Sequence, residues 1–286
     1  MKRIALFGGI GLAMAAALAV GVVGVMPNDS SWELVRDSGV IRIGYAVEAP
    51  YAFLAADGQV TGESPEVAKY VAAKLGLCRV KWRQVEFASL IDELEAGRID
   101  VVAAGMFVTP QRARRVSFSL PTFQVRPGLL TPRGNPRGLH SYRQALALAD
   151  IRIATLAGSV EEQALRRMGA AQAQLVTVPD ALTGRAAVES GAADALALSS
   201  PAVRWLAMTG PTGRTEAAEP FHAPRDGETG LGAFAFRKAD RRLLEAWNAV
   251  LADYVGGPQH LALMTRFGFT DAELPRHASD GEQPSR

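Results

Sequence analysis

Three groups of side chains in this sequence are placed to do chemistry. Arg112 follows Asp100 to Ala104, an apolar run that reads as a buried strand. Its forked guanidinium suits bidentate capture of a carboxylate. On its own, an arginine at this place serves a surface ion pair equally well, and Arg114 and Arg115 keep that simpler reading. The second group surrounds Val47-Glu48-Ala-Pro-Tyr51, where the first strand ends on a carboxylate with an aromatic close behind, and Phe87 and Phe107 fall at the next two strand ends. An arginine, a carboxylate and three aromatic faces together suit a compact zwitterion whose cation is delocalised or alkylated. The alternative is that the aromatics are core, and for Phe53, Phe118 and Phe123 that is the reading adopted. The third group is Ser159-x-x-Glu162, a capping box whose turn has free N–H groups that either the cap satisfies or an anion can occupy.

Other chemistries find less support. His140, His222, His260 and His277 lie far apart with no HxH or HExxH spacing, so no metal is expected, and no motif calls for a cofactor. Cys78 is the single cysteine; between Leu77 and Val80 it reads as a buried, inert thiol. The formal net charge is +2 and the arginines are scattered, which leaves no basic stripe for nucleic acid.

At the N-terminus Lys2 and Arg3 precede an uncharged apolar run, Ile4 to Met26, closed by Pro27 and a polar stretch. This reads as an export signal, long enough to serve as a membrane anchor with the body outside the cytoplasm. Residues 1–31 are assigned to this segment.

The body must then position the chemical groups. With 48% hydrophobic and 21% charged residues over 286 positions, the chain has material for two globular units. Short apolar strands alternate with helical stretches: Val40 to Val47, Arg79 to Val85 and Asp100 to Ala104, then Ile151 to Ala154, Leu175 to Val178 and Ala195 to Ser199. That alternation predicts an α/β fold. An internal echo predicts twinned lobes: Glu95-Ala-Gly-Arg-Ile-Asp100 matches Glu189-Ser-Gly-Ala-Ala-Asp194, and Ile41-Arg-Ile43 matches Ile151-Arg-Ile153. In each copy a helix ends on a glycine and an aspartate opens a buried strand.

Several segments resemble the extracellular solute-binding protein family that serves polar amino-acid-type ABC importers. Gly105-Met-Phe-Val-Thr109-Pro-Gln-Arg112 with Val116-Ser-Phe-Ser-Leu-Pro121 is similar to that family's glycine, threonine, arginine and FSxPY signature. Phe236-Arg-Lys-Ala-Asp240 with Leu243, Trp247, Asn248, Leu251 and Phe267-Gly268 is similar to its closing stretch. The resemblance spans residues 33 to 270. It implies a type 2 periplasmic-binding-protein clamshell with two crossovers, residues 32–131 and 232–272 forming lobe 1 and residues 132–231 lobe 2. Residues 273–286 are expected to form a disordered tail. The resemblance also implies a monomer outside the cytoplasmic membrane, with a small zwitterionic solute and an ABC-type permease as partners. It makes Thr109 and Arg112 ligand contacts and favours Ser159 as a contact from the second lobe.

Members that bind ordinary α-amino acids carry an aspartate where this chain has Ser199, so the usual partner of the ligand's ammonium is missing. Glu48, Tyr51, Phe87, Phe107 and Arg112 resemble instead the ligand set of ectoine- and hydroxyectoine-binding proteins, and Val178-Pro-Asp180 recurs with them. The competing expectation is an enzyme on the same fold, such as a prephenate-type dehydratase. That would require a positioned acid or base, and Glu48 is the only acid the sequence places in the cleft.

Overall fold

The computed structural model describes residues 29–209, 213–222 and 230–275. The apolar N-terminal run, Thr229 at the return crossover and most of the expected tail lie outside them.

Two five-stranded sheets organise the chain. The first, in the order β4-β1-β5-β14-β6, is built from β1 (Val40–Tyr45), β4 (Arg79–Gln84), β5 (Val101–Val102), β6 (Val116–Phe118) and the late strand β14 (Ala235–Arg237). The second, β10-β9-β11-β8-β12, takes β8 (Pro127–Pro132), β9 (Ile153–Leu156), β10 (Leu175–Val178), β11 (Ala195–Ser199) and β12 (Thr215–Ala217). In each sheet four strands run one way and one runs against them, β14 in the first sheet and β8 in the second, with helices on the faces. The inner parallel strands β5, β9 and β11 are buried throughout and read as apolar runs such as Ala195-Leu-Ala-Leu, whereas the edge strand β4 is largely exposed. Between the sheets runs a narrow ribbon in which β7 (Phe123–Val125) pairs antiparallel with β13 (Gly230–Gly232). A small hairpin, β2 (Phe53–Leu54) with β3 (Val60–Thr61), lies beside the first sheet.

The internal echo is a structural device. Arg42 on β1 donates its backbone N–H and its guanidinium to Asp100, and also reaches the Gly97 carbonyl at 2.6 Å. In the second sheet the Arg152 backbone N–H donates to Asp194 at 2.8 Å, and its guanidinium reaches the Gly191 carbonyl at 2.7 Å. Gly97 and Gly191 take φ of 68° and 75°. A side chain resists that left-handed turn, which is why both copies keep glycine there.

The helix Arg241–Tyr254 buries Leu243, Trp247, Leu251 and Tyr254 along one stripe, the spacing of an amphipathic helix. Trp247 is fully buried between Phe234 and Phe236, which ties the chain's return to the first lobe.

Three expectations are corrected. Residues 127–131, expected in lobe 1, form β8, which pairs with β11 and β12 in the second sheet; the first crossing therefore falls near residue 126. The expected tail is ordered in its first residues: Asp271–Glu273 makes a helical turn capped by Thr270, and buried Glu273 accepts from Arg204 at 2.8 Å. Cys78 is exposed, because Leu77 takes the inward position in the turn after Gly76.

Candidate functional site

The site is assembled where strand ends of the first lobe face helix starts of the second. Glu48 lies just past β1 in a tight turn, its N–H donating to the Ala52 carbonyl and its own carbonyl accepting from the Tyr51 N–H. That turn sends the Tyr51 ring inward against Phe107, Phe123 and Phe269, with the Phe123 centroid 4.9 Å away. Gly105 has φ of 63° and packs directly under this ring, so the glycine of the 105–112 motif is needed both for its conformation and for the close approach. The ring is core, as the simpler reading of the aromatics holds. Its hydroxyl is not, because it lies 2.7 Å from Ser199 Oγ across the lobe boundary.

Arg112 is held by a short helix, Pro110–Ala113, that Thr109 caps by accepting the Arg112 N–H. The residue is 6% exposed. Its guanidinium donates to the Phe107 carbonyl at 2.9 Å and, across the cleft, to the Gly158 carbonyl at 3.0 Å, and it lies 5.2 Å from the centre of the Phe87 ring. Among the described residues no carboxylate lies within 4 Å of it. Burial lowers the guanidinium to about 10, with Glu161 and Glu48 acting in the other direction, so it is a cation throughout the neutral range.

The second lobe supplies helix starts. Ser159 accepts the Glu162 N–H at 3.1 Å, while Glu162 reaches back to the Gly158 N–H at 2.8 Å, a capping box shifted one residue from its usual partner. Asp180 likewise caps its helix, accepting the Thr183 N–H at 2.7 Å. Asp180 does not join the buried cluster; it lines a groove of about 810 Å³ at the cleft mouth, together with Phe53, Phe87, Leu182 and Trp205. Thr109, Ser159 and Asp180 thus share one local role, each capping the helix it begins.

The residue that sequence reading missed is Glu161. It lies in the first turn of the helix Val160–Arg167, only 6% exposed. The signal was available, since Glu161 and Glu162 are adjacent at a helix start and only one of them can complete the box, but nothing in the sequence says which faces inward. Burial raises the Glu161 carboxyl to about 7, against the pull of its own backbone N–H, Arg112 and Ser159. Burial likewise raises Glu48 to about 8, with Glu161 adding to the effect and Arg112 opposing it. The cleft therefore holds one buried cation and two carboxyls, one from each lobe, which feel one another's charge.

Comparison with known proteins gives this geometry a context. The chain is 31% identical over 261 residues to the probable amino-acid ABC transporter periplasmic-binding protein y4tE of Sinorhizobium fredii, covering 90% of this chain and 86% of that protein. The crystal structure of EhuB in complex with hydroxyectoine superposes with a TM-score of 0.78 at 28% identity, over 85% of this chain and 93% of EhuB. The ancestral amino acid-binding protein AncCDT-1, a precursor of cyclohexadienyl dehydratase, superposes with a TM-score of 0.74 at 26% identity, over 83% of this chain and 99% of that one. The family model for bacterial extracellular solute-binding proteins, family 3, matches residues 41–268, which takes in both sheets, both crossings and every residue of the cleft. The chain belongs to that family and is a solute-binding protein.

Proposed function

We propose that this protein captures a small zwitterion of the ectoine or hydroxyectoine type, or an amino-acid-like relative, in the interlobe cleft and passes it to its permease as a monomer, without catalysis. The observation that carries the reading is Arg112: a buried guanidinium whose hydrogen bonds go to carbonyls alone, set against the Phe87 ring. A buried cation without a counter-ion is costly, and a ligand carboxylate entering the cleft relieves that cost. Glu48, Tyr51, Phe87 and Phe107 then take the cationic end, with Thr109, Ser159, Asp180 and Ser199 framing the cleft. Delivery from outside the cytoplasmic membrane uses residues 4–26 as an export signal or anchor; full-length protein recovered only in the cytosol of its host would contradict this.

Calorimetry with ectoine, 5-hydroxyectoine, arginine, histidine and glutamate tests the ligand, and Arg112→Ala tests the site. The expected result is tightest binding of an ectoine and at least a hundredfold loss in Arg112→Ala with an unchanged melt. Binding of arginine, glutamate or histidine at least tenfold more tightly than both ectoines discards the ectoine assignment. Unchanged affinity in Arg112→Ala discards the role of that residue.

One observation favours a second reading. An enzyme on this fold needs a positioned acid, and the cleft holds two carboxyls with raised values, near those a general acid uses at neutral pH. Release of product from prephenate, abolished in Glu161→Gln, would establish the enzyme; no turnover leaves capture alone.

A further inference from the structure

The two carboxyls of the cleft differ in how they arrive there. Glu48 belongs to the first lobe, on the turn that also presents Tyr51. Glu161 belongs to the second lobe and is set by its neighbours: Glu162 pairs with Arg166 at 2.9 Å on the outer face of the same helix, which turns Glu161 inward. Gly158, three residues before Glu161, is the residue whose carbonyl meets Arg112. Among the described residues no arginine, lysine or histidine nitrogen lies within 4 Å of the Glu161 carboxylate. Its own backbone N–H, Ser159 and the more distant Arg112 offset only part of the burial, and a carboxylate nine-tenths buried without an ion-pair partner stays costly to the fold.

We propose that Glu161 is a specificity-determining residue, delivered by the second lobe so that the cationic end of the solute lies between it and Glu48. The proposal rests on the zwitterion reading above and narrows it. A cation gripped from two sides must offer hydrogen-bond donors on two sides. A cyclic amidinium or a guanidinium does so, because its charge and its N–H groups are spread over separate nitrogens. A quaternary ammonium has no N–H to give, so it leaves both carboxylates without a donor in a closed cleft. The ligand class is therefore a carboxylate joined to an amidinium or guanidinium, in preference to a methylated betaine. The second lobe thereby replaces the aspartate that is absent at Ser199, from a different helix start.

The test is calorimetry on the wild-type chain, Glu161→Gln and Asp150→Asn, each with ectoine, arginine, glycine betaine and glutamate. Asp150→Asn removes an exposed second-lobe carboxylate that pairs with Arg137 at 2.6 Å, away from the cleft, and serves as control. The expected result is ectoine or arginine binding at least tenfold tighter than glycine betaine, with a further loss of at least tenfold in Glu161→Gln and a change within twofold in Asp150→Asn. Wild-type affinity retained within threefold in Glu161→Gln overturns the role of Glu161 while leaving zwitterion capture intact; so does glycine betaine binding tightest. If none of the zwitterions binds, the capture reading falls and this proposal with it. Melting curves of both variants accompany the titrations, so that lost affinity in a misfolded Glu161→Gln counts only if Glu161→Asp, which keeps the charge, restores at least part of it; failure of a folded Glu161→Asp to bind better than Glu161→Gln also overturns the proposal.

Discussion

The two lobes use the same arginine–aspartate clasp, but they do not load it equally. In the first, Asp100 is nearly buried and receives Arg42 through both backbone and guanidinium, with Arg237 of β14 at 3.2 Å as a second cation. In the second, Asp194 is half-buried, its backbone bond from Arg152 is strong, and the two side chains stand 3.9 Å apart. The extra partner has a topological cause. The first sheet must take back a strand that has travelled through the other lobe, and Arg237 fastens that returning strand to the turn that opens β5. The second sheet is continuous in sequence from β8 to β12 and has no such strand to anchor. A repeated motif thus marks repeated architecture, while its energetic weight depends on what else the fold must secure there.

The largest effect should come from breaking the clasps. Burial pushes the Asp100 carboxyl up, but hydrogen bonds from Arg42 and Arg237 outweigh it and leave the value lowered. Asp100→Ala should cost about 2–3 kcal/mol, because it removes charge-assisted hydrogen bonds from two arginines while Arg237 keeps Asp240 at 2.7 Å, and Asp194→Ala about 1 kcal/mol, as for a partly exposed pair. Urea unfolding measures both, and equal costs would erase the asymmetry between the lobes.

A smaller effect separates the lobes by pH. Glu48 and Glu161 have folded values of about 8 and about 7, above the ordinary carboxyl near 4.5, and Glu63, buried at a helix start in the first lobe, also stands at about 7. Between the ordinary value and these folded values the folded chain holds more protons than the unfolded one, so stability falls as pH rises through that window. His260, lowered to about 4 by burial, acts oppositely below about 6.5, where the unfolded chain gains its proton. The clean interval is pH 6.5 to 9, and across it the melting temperature without ligand should fall by roughly 5 °C. Glu161→Gln removes the second lobe's share and Glu48→Gln part of the first lobe's, so each should flatten the slope. A slope unchanged in both variants would show that the cleft carboxyls do not titrate with folding.

The smallest effect concerns the bond that joins the lobes. Tyr51→Phe keeps the ring in its aromatic cluster and removes only the hydroxyl shared with Ser199. The expected cost is about 1 kcal/mol, read as a roughly fivefold loss of solute affinity. Ser199→Ala should match it, and the double variant should add little. Additive losses would mean that each hydroxyl meets the solute separately.

Much of the first lobe's contribution was legible from sequence. Glu48, Tyr51, Phe87, Phe107 and Arg112 follow strand ends, and the alternation of apolar runs with helices is enough to find strand ends; the structure brings these five together, and their roles in binding await the titrations above. The second lobe was less legible. Ser159 and Asp180 are caps in their own helices, so their signals are local, and a local signal does not tell whether a residue also faces the other lobe. Cys78 shows the same limit in miniature: adjacent positions in a turn alternate between core and solvent, and the choice of Leu77 as the buried one depends on what packs above it.

By itself the sequence determined the α/β class, the twinning of the lobes and the family, because these rest on periodicity, repeated turns and motifs that are contiguous in the chain. Which strands share a sheet, where the chain changes lobe, and that Glu161 rather than Glu162 turns toward Arg112 were decided only by the tertiary structure. Each of these depends on the desolvation and pairing of groups distant in the sequence, as Arg112 and Gly158 are. That free energy appears only when the two lobes meet.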